Sequence, residues 1–104
     1  MDLAVPLDDF ANRATDLKMF RYAEQLRAAT LSVSNNIAEG SGCLSDKEFV
    51  RFLGYSRRSV FEIVNTLHTF ERNNIITTKE RLAQYPALLK LSKQIHGMIK
   101  KLRA

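Results

Sequence analysis

Residues that punctuate or cross-link a fold are scarce in this chain of 104 residues, which has four glycines, two prolines and one cysteine. So little turn material argues against a many-stranded β protein. With Cys43 alone, no intrachain disulfide can form, and a reducing cytoplasm is the natural setting. No apolar run approaches the roughly 20 residues needed to span a bilayer, so no membrane contact is expected. The opening Met1-Asp2-Leu3-Ala4-Val5-Pro6 lacks the basic region and long apolar core of a secretory signal. A Gly-rich phosphate loop and a nucleophile elbow are also missing. His68 and His96 fall on different segments, and no spacing gathers the three or four ligands of a metal site. Cys43 would be reactive only if exposed in a positive environment. We therefore expect no catalytic residue, no metal, no cofactor and no enzymatic activity.

What is present is the composition of a soluble globular protein, 45% hydrophobic and 26% charged, in a length that fits one domain, residues 1–104. The net charge of +5 is unevenly spread. Residues 1–43 carry 4 basic and 6 acidic side chains, 44–76 carry 5 and 4, and 77–104 carry 7 and 1. The last quarter of the chain is thus the place for an anion-binding face.

The periodicity predicts an all-α protein with three long amphipathic helices, about 16–41, 45–73 and 78–103. In the first, Tyr22, Leu26, Ala29, Val33 and Ile37 repeat at spacings of 3 and 4, and Gly40 and Gly42 supply a left-handed stop. The second starts at the capping box Ser45-Asp46-Lys47-Glu48. Its seam runs through Phe49, Phe52, Ser56, Val60 (with Ser59), Ile63, Leu67 and Phe70, and Asn73-Asn74 ends it. Thr77-Thr78-Lys79-Glu80 is a second capping box, followed by Leu82, Tyr85, Leu89 (with Leu88), Ser92, Ile95, Ile99 and Leu102. That register crosses Pro86, so a kink is expected there rather than a break. Pro6 is expected to hold residues 1–14 to a shortened first helix or a leader.

Short loops force antiparallel neighbours, an up-and-down bundle. If the chain folds back at Cys43-Leu44, facing residue numbers sum to roughly 88, which sets Ser32 near Ser56, Ala29 near Ser59 and Asn36 near Phe52. Small residues then meet small residues. That gives the polar stretch Ser32-Val33-Ser34-Asn35-Asn36-Ile37-Ala38-Glu39-Gly40-Ser41-Gly42 a structural reason to exist. Asn36 lies on the apolar face and needs partners. Glu39, near a helix C-terminus where the dipole disfavours a carboxylate, is expected to pair with Arg51. This network either locks helix register or makes a polar contact between protomers, and we take it as structural first.

On the last helix, Lys79, Lys90, Lys93, Lys100 and Lys101 share one sector opposite the seam, with Arg103 beside them. The stripe is either a solvated face or a surface for phosphates. It has no interleaved aromatics, so base stacking is not indicated there. Arg57, Arg58 and Arg72 read either as ordinary surface cations, with Arg58 paired to Glu62 four residues on, or as an interface contact.

Gln25-Leu26-Arg27, the stretch Leu31–Gly42, Glu48-Phe49-Val50-Arg51-Phe52-Leu53 and Arg58-Ser59-Val60-Phe61-Glu62 together resemble the bacterial four-helix bundle proteins of the 23S rRNA intervening-sequence type, over residues 20–103. The same resemblance extends to the accessory variability proteins of diversity-generating retroelements. It marks Gln25, Arg27, Ser32, Asn36, Glu39, Gly40, Glu48, Arg51, Ser59 and Glu62 as motif residues. Departures are Ser34 in place of a common Pro, Ala28 in place of a second Arg, and Arg58 where Gly often precedes Ser. Members begin with a full first helix, of which only the end, around Met1–Leu7, is expected here. The resemblance implies a non-catalytic homo-oligomer, often a pentamer. For the retroelement branch it also implies binding of RNA or DNA, and of a reverse transcriptase or another nucleic-acid-processing protein, through a basic surface; for the intervening-sequence branch the family name records genomic position more than biochemical role.

Overall fold

A computed structural model describes residues 3–104. Four helices follow one another: α1 (Ala4–Asp16), α2 (Phe20–Ser41), α3 (Asp46–Arg72) and α4 (Thr78–Arg103). No strand occurs among the described residues. Loops of three, four and five residues join the helices, so each reverses direction. α1 packs on α2, α2 on α3 and α3 on α4, in a body 45 × 23 × 19 Å. The expected all-α up-and-down bundle is what forms. Phe70, Leu7, Leu26, Leu53, Ile63 and Leu67 are among its fully buried side chains.

The first helix differs from expectation. α1 is the expected shortened first helix, but its 13 residues run past Leu7 to Asp16, and the second helix begins at Phe20 rather than Asp16. Pro6 sits in the first turn of α1, where a missing N–H breaks no intrahelical bond. Leu7, Phe10, Ala11 and Ala14 then make a buried seam at helical spacing. The break between α1 and α2 is a Schellman stop. Lys18 is left-handed at φ 61°, its N–H donates to the Thr15 carbonyl (2.9 Å), and that of Met19 donates to the Ala14 carbonyl (2.8 Å). Asn74 ends α3 the same way, at φ 59°. Its N–H donates to the Glu71 carbonyl, and Ile75 reaches back to Phe70.

α2 stops where expected, at Ser41 with Gly42 as its C-cap, but the stop is not left-handed, since no described glycine has positive φ. Gly40 lies inside the helix and is buried. A Cβ there would stand 2.8 Å from Phe49 Cδ1 and 2.9 Å from Phe52 Cβ. Glycine at this position serves close approach of α3, not chain reversal.

Both capping sites hold. Ser45 Oγ accepts the Glu48 N–H (3.2 Å), while the Glu48 carboxylate turns to Arg51 instead of completing the box. At α4 the box is complete: Glu80 N–H donates to Thr77 Oγ1 (3.1 Å) and Thr77 N–H to Glu80 Oε1 (2.9 Å). α4 continues through Pro86, whose ring leaves the Leu82 carbonyl without its helical donor. Its buried seam is Gln84, Leu88, Ser92, Ile95 and Ile99. The expected seam members Leu82, Tyr85 and Leu89 stand 53%, 48% and 43% exposed. At 100° per residue Leu82 and Leu89 fall about a quarter-turn or more from the middle of that seam, on its α3 side, while Tyr85 stands at its edge, about 20° from Ser92.

Candidate nucleic-acid interface

The motif stretch works inside the fold. Ser59 Oγ donates to Ser32 Oγ (2.8 Å), and Ser56 Oγ donates to the Val33 carbonyl (2.8 Å). α2 and α3 therefore meet one to three residues from the expected register, with Ser32 opposite Ser59 rather than Ser56. Asn36 is satisfied within its own helix, its amide donating to the Ser32 carbonyl (2.8 Å) and to Ser32 Oγ (2.9 Å). No buried side-chain polar atom among the described residues lacks a partner. The expected Glu39–Arg51 pair is not made. Arg51 takes Glu48 one turn away on α3 (2.8 Å), and Glu39 stays exposed. Arg27 ties α2 to the end of α1, donating to Asn12 Oδ1 (2.9 Å) and Thr15 Oγ1 (3.1 Å). Gln25 and Glu62 are exposed, and Arg58 is not paired with Glu62. The Arg58 guanidinium instead lies 5.9 Å from the centre of the Tyr55 ring.

Two ion-pair centres fasten the start of α4. Arg13 grips Glu80 through both guanidinium nitrogens, at 2.9 and 2.5 Å, and also meets Asp9. The hydrogen bond from Arg13, followed by the one from the Thr77 backbone, pulls the Glu80 carboxyl down to about 2. Arg81 holds Glu71, which also accepts from Thr78 Oγ1 (2.8 Å). The hydrogen bond from Arg81 lowers the Glu71 carboxyl as well.

The predicted basic residues Lys79, Lys90, Lys93, Lys100, Lys101 and Arg103 are all exposed. Among the described residues, none has a carboxylate within ion-pair distance; the pairs formed use Arg13, Arg27, Arg51 and Arg81. The six do not form one cluster. Lys79 stands roughly 30 Å along α4 from Lys100. Lys90 lines a groove against the N-terminal end of α1, with Leu3, Pro86 and Leu91. Arg103 instead shares a groove of about 410 Å³ between α3 and α4 with Arg57, Arg58, His96 and Phe61. Arg57 Nε donates to Ser92 Oγ (3.3 Å), and its guanidinium lies 5.4 Å from the Phe61 ring centre.

The sequence reading left Arg57 and Arg58 as surface cations and gave His96 no role beside them. The signal that joins them is the α3–α4 register: Arg57 opposite Ser92 and Glu71 opposite Arg81 bring residue numbers near 150 face to face. Among the described residues, no group of three or more His, Cys, Asp or Glu side chains could hold a metal ion. No helix there is long and apolar enough to cross a membrane.

Comparison with known proteins returns one family. No curated protein and no solved structure gives a significant match. The family model described as 23S rRNA-intervening sequence protein matches residues 1–101, which spans all four helices up to the last turn of α4. The chain belongs to the 23S rRNA-intervening sequence protein family.

Proposed function

We propose that this protein is a non-catalytic, homo-oligomeric accessory factor of the cytoplasm that binds the backbone of RNA or DNA through the cationic surface of α4 and the adjoining edge of α3. The observation that carries this reading is the segregation of charge. Beyond Glu80, α4 bears no acidic residue, and its lysines lie exposed with no carboxylate in ion-pair reach among the described residues. Unneutralised cations of this kind release counterions when they meet phosphates, so binding is backbone-directed and weakly selective for sequence. The family's description names an rRNA insertion, which agrees with an RNA-related role. A partner enzyme that processes nucleic acid, such as a reverse transcriptase, would meet the same surface.

The test is a titration of RNA and DNA at rising salt. Affinity should fall steeply between about 50 and 200 mM. Replacing Lys90, Lys93, Lys100 and Lys101 by Glu should abolish binding at unchanged helicity. A variant that binds as tightly as the parent would exclude the basic face.

A second reading, a protein-interaction scaffold without nucleic-acid contact, has its own observation. Leu82, Tyr85 and Leu89 stand about half-exposed on one side of α4, and contiguous exposed apolar surface marks interaction sites. The salt titration separates the two, since a scaffold of this kind would show no binding at any salt.

A further inference from the structure

We infer that the trough between α3 and α4 around Gly54 seats a single-stranded segment of nucleic acid, with phosphates on Arg57, Arg58 and Arg103 and a base against Phe61. This rests on the proposed nucleic-acid binding and adds to it the strand state and the seat.

The cations come first. Arg57, Arg58 and Arg103 line one groove, and none of them has a carboxylate in ion-pair reach among the described residues. Arginine forks suit phosphate oxygens. Acidic groups, Asp46 and Glu48, appear only where the trough continues past Tyr55 towards the start of α3, and Glu48 is already held by Arg51. The polyanion's path is therefore bounded on that side.

The aromatics decide the strand state. Phe61 is 54% and Tyr55 39% exposed, and each carries a guanidinium over its ring, from Arg57 and Arg58. An aromatic face beside an arginine is the platform on which unpaired bases stack. A duplex keeps its base faces inside the stack and offers such a platform nothing. The lysines at 90, 93, 100 and 101 have no aromatic interleaved and would take either form.

A glycine supplies a third observation. Gly54 lies in the interior of α3 and lines this groove, with nothing within 4 Å of an added Cβ. A helix-interior glycine is disfavoured against alanine, and the packing of this chain does not call for it. Its bare backbone leaves room for the close approach of an outside chain.

The chain has no tryptophan, so Phe61→Trp installs a single indole in the trough. The probes are a short oligothymidylate and a duplex of equal length, with helicity followed by circular dichroism. We expect the oligothymidylate to quench the indole and the duplex to leave it unchanged. Phe61→Ala should weaken single-strand binding about five- to a hundredfold and leave duplex binding as it was. Gly54→Leu, which fills the trough with a better helix former, should weaken single-strand binding without lowering the melting temperature. If the parent binds both probes equally and Phe61→Ala changes neither, this inference is overturned while nucleic-acid binding stands. A concentration-dependent indole signal without nucleic acid that persists when Leu89→Glu is added would also overturn it, making the trough itself a self-association face. Failure to bind either probe at low salt would remove the underlying function as well.

Discussion

Arg13 and Glu80 form a two-pronged ion pair, at 2.9 and 2.5 Å, that ties the last turn of α1 to the first turn of α4. These residues are 67 positions apart, and the same carboxylate completes the cap of α4 by accepting from Thr77. One side chain thus serves a helix start and a helix–helix junction together.

The pair gives stability a defined acid limit. Glu80 falls to about 2 in the folded chain from an ordinary value near 4.5. A depressed carboxyl stabilises the fold above its unfolded value and loses that contribution as pH falls towards the folded one. Both groups are about a third exposed, so solvent screening reduces the effect well below the full shift. Glu80→Gln should cost about 1–2 kcal/mol at neutral pH. In denaturant melts, the gap between parent and variant should close between about pH 4.5 and 2. A gap that stayed constant over that window would mean that the carboxylate's charge is irrelevant.

Gly40 and Gly97 should respond in opposite directions to the same substitution. At Gly40 the added methyl meets Phe52 Cβ at 2.9 Å, an atom fixed to the backbone of α3, so the two helices must part. Gly40→Ala should destabilise by about 1–3 kcal/mol, since the strain exceeds the gain in helix propensity. At Gly97 the methyl enters open space, and Gly97→Ala should stabilise by about 0.5–1 kcal/mol. Thermal melts of the two variants provide the comparison, and shifts of the same sign would contradict the packing argument.

Lys18 holds a left-handed conformation that glycine adopts without strain. Lys18→Gly should therefore raise stability by about 0.5–1 kcal/mol, less a part lost to the freer unfolded chain. Lys18→Val, branched at Cβ, should lower it. Chemical denaturation of both variants tests the pair; a destabilised glycine variant would show that Lys18 contributes contacts beyond its backbone.

Lys18 also explains which parts of the fold could be read from sequence. The long seams of α2 and α3 and the two Ser/Thr caps are local patterns, and they were legible. The α1–α2 break was not, because its left-handed residue is a lysine; at the end of α2 the glycines marked the right place, although neither is left-handed. Pro6 looked like a barrier because its cost depends on position in the helix, and the start of α1 carries no side-chain cap to mark it. In the candidate site, the lysines of α4 were visible along a single helix. The Arg57–Arg58–His96–Arg103 grouping was not, because it depends on how α3 lies against α4. The expected Glu39–Arg51 pair failed for the same reason, since a sequence gives spacing within a helix but not the residue-by-residue offset between two; Arg58, four residues from Glu62 on one helix, lies over the Tyr55 ring instead.

The exposed apolar side chains of α4 lead to the last prediction. Leu82, Tyr85 and Leu89 fall within a sector of about 60° on the helix, at 100° per residue. All three are about half-exposed, on the α3 side of the seam that holds α4 to the bundle. Covering the exposed half of each of these side chains against a second copy gains on the order of 1 kcal/mol, which favours a contact between copies on this side of α4. Light scattering at tens of micromolar should therefore give a mass well above the 11.9 kDa of one chain. Leu89→Glu, at an exposed position, should return the protein to a monomer with helicity unchanged. If parent and variant both ran as monomers, self-association through α4 would be excluded. If both ran as the same oligomer, another face would make the contact, and Val5 and Leu31, 70% and 60% exposed across α1 and α2, would be the next to change.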